Sequence, residues 1–145
     1  VLDDNLKFLD SMSISDKFQK YNLPQHHIND LCIVDQNLYV SMFSISGNHK
    51  RNIYDGGVYE ISLDDKKITN KLYGYLKMPH SIKYLDNSFV ILDSLNGDLV
   101  IGNSSIASFP GFSRGLSSDE KFYYIGQSRN RETCFYHLVY PKFTK

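Results

Sequence analysis

Side chains able to do chemistry gather in three stretches of the chain. They are Ser41-Met-Phe-Ser-Ile-Ser-Gly-Asn-His-Lys-Arg51 with Tyr54-Asp-Gly-Gly57, Met78-Pro-His-Ser81 with Asp93-Ser94, and Phe109-Pro-Gly-Phe-Ser-Arg-Gly115 with Gly126-Gln-Ser-Arg-Asn-Arg-Glu132. The ligand-binding candidates within them are His80, Asp93, Arg114, Gln127 and Arg129, with Asn48 and Asp55 as outer members. An imidazole titrates near neutrality, so His80 is suited to acid/base work or metal ligation with Asp93 as its orienter. A structural histidine bonded to backbone is the competing reading. Arg114 stands between Gly111 and Gly115, where bare backbone lets a planar guanidinium reach a carboxylate or phosphate. An arginine that bridges neighbouring sheets through carbonyls would serve equally well there. Asp55 before Gly56-Gly57 reads as a turn residue or as a single ligand for a hard cation. The run from Arg129 to Glu132 also reads as a solvated loop. HExxH, phosphate-loop and paired-cysteine motifs are absent from the sequence, and catalytic residues, metal ligands and cofactors stay unassigned.

These residues need elements to carry them. From Leu31 onward, short runs of Val, Ile, Tyr and Phe alternate with Asp, Asn, Gly and Ser clusters, the signature of successive β-hairpins. Strands are expected at 30–34, 38–44, 57–63, 68–75, 81–85, 89–93, 98–103, 106–109, 115–117, 122–127 and 135–139. Three segments share one grammar: Leu31 to Ser41 about Asp35, Ile82 to Leu92 about Asp86, and Gly115 to Ile125 about Asp119. In each, a strand meets Asp-x-x-apolar and runs into the next strand. The shared Asp is expected at the first position of a tight turn, accepting from the backbone N–H two residues on. Asn96-Gly97 is expected to form a type I′ turn, with Leu63 to Lys67 as its counterpart in the first segment. The intervals between the three Asp residues are uneven but bracket a four-stranded propeller blade of about 40–50 residues. Residues 26–145 are therefore expected to be an all-β, β-propeller-like array of about three blades, against the 4 to 8 of closed propellers, and so part of a longer propeller or self-associating. Val1 in place of an initiator Met supports the first option. Residues 1–25 form a separate N-terminal segment, in which Leu2, Leu6, Leu9 and Met12 near helical spacing suggest a short helix capped by Asp3 or Asp4.

Composition points the same way. The 145 residues include one Ala and three Glu against 17 Ser, 13 Asp and 11 Asn, with 11 Tyr and 9 Phe, so good helix formers are scarce and turn and strand residues abundant. Lys plus Arg equals Asp plus Glu at 16 each, which removes the electrostatic case for nucleic acid or an anionic membrane as partner. No apolar run is long enough to span a bilayer, and no secretory signal opens the chain. Cys32 and Cys134 are read as buried free thiols of a reducing compartment, and a cytoplasmic location is expected.

Several motifs resemble one family. Ser41-Met-Phe-Ser-Ile-Ser-Gly-Asn48, Tyr54-Asp-Gly-Gly57, Met78-Pro-His-Ser81, Leu92-Asp-Ser94, Phe109-Pro-Gly-Phe-Ser-Arg-Gly-Leu116 and Tyr123-Tyr-Ile-Gly-Gln-Ser128 are similar to the bacterial proteins grouped as domain of unknown function 4915. The resemblance runs from about Asp30 to Glu132. It implies a β-propeller, usually of a longer chain, and carries no reaction. The chain departs from that pattern at Arg129, where the resemblance implies an acidic residue, and after Glu132, where it implies a Gly-led strand.

The function expected from these readings is binding of a small polar or anionic ligand, such as a sugar derivative, at the face carrying His80, Asp93 and Arg114. Tyr suits sugar contacts because its ring is apolar and its hydroxyl polar. Two alternatives stand beside it: a divalent-metal-dependent lactonase-like hydrolase with Asp93, His80 and Asp55 near the ion, and a scaffold without a small ligand.

Overall fold

β-Branched and aromatic runs punctuated by Asp, Asn and Gly fold into ten strands in the computed structural model, which describes residues 1–23, 25–119 and 121–129. Strands β1 (Ile28–Val34), β2 (Asn37–Met42), β3 (Gly56–Ser62) and β4 (Lys67–Leu76) form one antiparallel sheet in chain order. Strands β5 (Pro79–Leu85), β6 (Ser88–Asp93), β7 (Asp98–Ile101) and β8 (Ser104–Ser108) form a second in the same order, and β9 (Phe112–Ser118) pairs with β10 (Tyr123–Ser128). The expected strands up to residue 127 all occur, with bounds shifted by a few residues; the one expected at 135–139 lies outside the described residues. The first strand of each sheet packs against the first strand of the next, β1 on β5 and β5 on β9.

Alternation along the strands sends side chains to two faces. Tyr39 and Val58 of the first sheet meet Ile82, Ile91 and Val100 of the second in a shared core, joined by Leu76. Val90, Leu92 and Leu99 on the opposite face of the second sheet meet Leu116 of the third. Burying each such aliphatic side chain contributes about 1.5–3 kcal/mol. Val40, Met42 and Ile61 on the far face of the first sheet are covered in part by Ile14 of the N-terminal segment. Cys32 is half-buried beside the first core, less enclosed than expected, and Cys134 lies outside the described residues.

Four local expectations are corrected. Asp35 and Asp86 do not sit at the first position of their turns. They sit at the first central position with φ of 51° and 49°, and Asn87 follows at 60°, so Asp86-Asn87 is the turn with two positive φ angles. Only Asp119 behaves as expected, its Oδ1 accepting from the N–H groups of Lys121 (2.8 Å) and Phe122 (2.7 Å). Asn96-Gly97 is not a two-residue turn but closes a longer loop between Asp93 and Asp98, with positive φ at Gly97 alone. Its counterpart by strand order is the long connection 43–55 between β2 and β3, not 63–67. The N-terminal helix is one short turn at Lys17–Tyr21 (α1), later than expected. Leu2, Leu6 and Leu9 are exposed, and Asp3 caps a small turn through Asn5 and Lys7 instead. Among the described residues no helix is long and apolar enough to cross a membrane.

Gly97 pins the loop after β6, because its φ of +78° is strained for other residues and a Cβ there would run into the carbonyl oxygen of Phe109. Gly97→Ala is expected to cost about 1–3 kcal/mol in urea unfolding. An unchanged midpoint would show that the loop relaxes freely.

Candidate functional site

Each sheet's first strand is interrupted near its start. In β1 the register shifts between Ile28 and Asp30, in β5 between His80 and Lys83, and in β9 between Ser113 and Gly115. The residues left out of the ladder include Asn29, Ser81 and Arg114. A bulge frees a residue from pairing and re-aims it, and here the freed groups join neighbouring sheets. Asn29 Nδ2 donates to the carbonyl of Pro79 at 3.0 Å, and Ser81 Oγ donates to the carbonyl of Arg114 at 2.7 Å. The three strand starts are thereby held around one cleft of about 490 Å³. That volume lies within the roughly 300–1,000 Å³ usual for small-molecule sites.

Rings line this cleft. Phe43, directly after β2, stacks on His27 with centroids 4.1 Å apart and planes 7° apart, and it meets His80 edge-on at 5.2 Å. His80 packs on Phe112 at 5.4 Å, while His49 lies 4.5 Å from His27 and 5.6 Å from Tyr54. Phe43, Met78 and Phe112 are buried and form the floor; His27 is exposed and Tyr54 half-buried.

His80 has a defined tautomer. Its Nδ1 lies 3.0 Å from the Met78 carbonyl and 2.8 Å from Ser94 Oγ. A carbonyl can only accept, so Nδ1 carries the hydrogen and Nε2 of the neutral ring keeps its lone pair. Nε2 makes no hydrogen bond among the described residues. Burial, and then the nearby Arg114 and His27, hold the His80 pKa below the ordinary histidine value against the opposing pull of the Met78 carbonyl and Asp30. His27 and His49 are shifted the same way, by burial first and by Lys50 and their neighbours second. Nδ1 of His49 is buried and unpaired among the described residues.

Arg114 is exposed, and its guanidinium sits over the Phe112 ring, 5.1 Å from the centroid. That guanidinium makes no ion pair or hydrogen bond among the described residues. The bridge between sheets runs through its backbone carbonyl, not through the guanidinium.

The other sequence candidates are placed differently. Asp93 is buried and makes no hydrogen bond to His80 among the described residues; Ser94 and the Met78 carbonyl orient that ring in its stead. The Asp93 carboxylate accepts from Lys77 N–H at 2.8 Å and Asn96 Nδ2 at 3.0 Å, tying the entry to β5 to the loop after β6. Burial, its largest influence, raises the pKa of its carboxyl despite those two bonds. Asp55 and Asn48 build the 43–55 connection. Asp55 accepts from Ser44 Oγ (2.6 Å) and Ser46 N–H (3.2 Å), and Asn48 N–H donates to Ser44 Oγ (2.9 Å). Burial alone would raise the Asp55 pKa, but those hydrogen bonds outweigh it and hold it low. Gln127 and Arg129 are exposed and do not line the cleft; Gln127 lies against Gly111. Among the described residues no group of three or more His, Cys, Asp or Glu is placed to share a metal ion.

Sequence reading thus brought His80 and Arg114 to the cleft and missed His27, Asn29 and His49 as lining residues. A signal for Asn29 was present: counting back equally from Asp35 and Asp86 reaches Asn29 and His80.

A second hollow of about 480 Å³ lies between the N-terminal segment and the first sheet. There His26 joins Ser15 Oγ (Nε2, 2.8 Å) to the Ser44 carbonyl (Nδ1, 2.9 Å), a latch that holds the segment in place.

Among known proteins, a family model described as a domain of unknown function (DUF4915) matches residues 17–142, extending the motif likeness at both ends. Neither a curated protein nor a solved structure matches.

Asp93→Ala would leave the Lys77 N–H and the Asn96 amide without their acceptor and is expected to cost about 1–3 kcal/mol. Asp93→Asn keeps an acceptor and carries no charge. Because folding raises the Asp93 pKa, the wild type should gain stability relative to Asp93→Asn as pH falls through that raised value. The gain is complete below the ordinary carboxyl value. Chemical denaturation of both proteins between pH 3 and 8 checks the sign, and a difference that grows in the opposite direction contradicts it.

Proposed function

The chain belongs to the DUF4915 family, and from that premise and the geometry of the cleft we propose that it is a binding domain for a small polar or anionic ligand of the sugar-derivative kind. The observation that carries this reading is the Arg114 guanidinium, which lines the cleft with no partner among the described residues and is backed by an aromatic ring. A cation held beside an apolar floor attracts an anion or a polar group with an apolar face. His80 adds a fixed acceptor at Nε2. The three sheets are read as successive blades of a longer β-propeller with repeated hairpins. Support comes from their strand order and from the packing of each first strand on the next. In this reading the cleft is the channel face, self-association or further blades cover the open sheet faces, and the setting is cytoplasmic with neither nucleic acid nor membrane as partner.

Thermal shift measurements on the protein against neutral sugars, sugar acids and divalent ions are expected to give a saturable rise for at least one sugar or sugar acid and none for ions alone. At a ligand concentration of about 100 times Kd the added stability is about 2.7 kcal/mol. Arg114→Ala should remove most of that rise. A flat response across the panel, or a rise that Arg114→Ala leaves intact, overturns the proposal.

A further inference from the structure

We propose that the cleft is specific for a singly charged acidic sugar of the uronic acid class, with the carboxylate on Arg114 and a ring hydroxyl donating to Nε2 of His80; this rests on the binding reading above.

The charge around the cleft sets the ligand's charge. Among the described residues, Arg114 is the one side chain lining it that carries a full charge at neutral pH, and no carboxylate lines it. Its three histidines stay neutral at that pH, since burial disfavours their protonated forms. One guanidinium therefore faces one anionic group. A phosphate dianion would need a second cation or a set of backbone N–H donors. A carboxylate offers two coplanar oxygens, which match the guanidinium fork, and a single charge.

The uncharged part of the ligand is set by what lies beside Arg114. Nδ1 of His80 is committed to Met78 and Ser94, so Nε2 presents a lone pair, and a lone pair takes a hydroxyl donor. The ring of His49, 4.5 Å from that of His27, also lines the cleft, its buried Nδ1 without a partner among the described residues. Between them lie the rings of Phe43, Phe112, Tyr54 and His27. A pyranose ring carrying a carboxylate combines an apolar C–H face with hydroxyl groups at its rim, which fits this order of cation, ring surface and acceptor. A plain aliphatic acid would leave Nε2 unmatched, and a neutral sugar would leave the guanidinium unmatched.

Isothermal titration of the whole protein at pH 7.5 tests this with D-glucuronate, D-galacturonate, D-glucose, D-galactose, galactose 6-phosphate and cyclohexanecarboxylate. At least one uronate is expected to bind at least tenfold more tightly than its neutral sugar, the 6-phosphate and the cyclic acid without hydroxyls. Arg114→Gln should lower uronate affinity at least tenfold, to the level of the neutral sugar. The exposed position of Arg114 leaves the core intact, and an unchanged melting temperature of the free variant verifies this. His80→Phe should erase the preference for the uronate over cyclohexanecarboxylate while the preference for acid over neutral sugar persists. Neutral sugar or 6-phosphate binding as tight as the uronate overturns this inference and leaves the binding reading standing. Absence of binding by every compound overturns both.

Discussion

Two hydrogen bonds between sheets, Asn29 to the Pro79 carbonyl and Ser81 to the Arg114 carbonyl, are the constraint on which the rest of the site depends. Each starts from a residue that a bulge has removed from its own ladder. A net contribution of about 0.5–1.5 kcal/mol apiece is small beside the apolar cores that join the sheets. Their importance is positional. The cores hold the sheets face to face, but a packed face tolerates small slides, whereas a directional bond at the start of each first strand sets where that strand begins. His80 stands directly after Pro79, and Arg114 contributes the second accepting carbonyl, so both of these cleft-lining side chains are attached to the stitches themselves.

Behind this front line stand groups that hold the surrounding backbone in place. Asp93 clamps the entry to β5 onto the loop after β6, which keeps Met78 and Ser94 where they orient His80. In the first sheet the corresponding connection is longer. It uses Ser44, Ser46, Asn48 and Asp55 to build its own hydrogen-bonded frame and so delivers His49 and Tyr54 to the cleft wall. The carboxylates of Asp93 and Asp55 thus bind neighbouring N–H and O–H groups of the framework, and the open cation faces the cleft. That division explains how a chain of zero net charge can hold a local site of one sign.

The strands were legible in the sequence because Val, Ile, Tyr and Phe runs bounded by Asp, Asn and Gly leave little choice of element. His80 and Arg114 were legible because each breaks an otherwise turn-like stretch with a side chain that turns do not require. Turn geometry was less so: Asp86-Asn87 and Asn96-Gly97 look alike on paper, yet strand spacing makes the first a two-residue turn and the second the end of a longer loop. The role of Asp93 was misread because an Asp near a His suggests a pair, while its oxygens are taken by a backbone N–H and an amide close in sequence. His27 and His49 were missed because their place depends on ring stacking with Phe43 across two connections, which no local pattern encodes.

The stitched strand starts present His80 with a lone pair at Nε2 beside the Arg114 guanidinium. Nitrogen-15 spectra of histidine- and arginine-labelled protein test it most directly, because imidazole nitrogen shifts separate the two neutral tautomers. The Nδ1–H tautomer is expected for His80 at neutral pH, with displacement of its Nε2 resonance together with the Arg114 side-chain resonance when a uronate is added. An Nε2–H tautomer, or displacement confined to histidines outside the cleft such as His26, would contradict it.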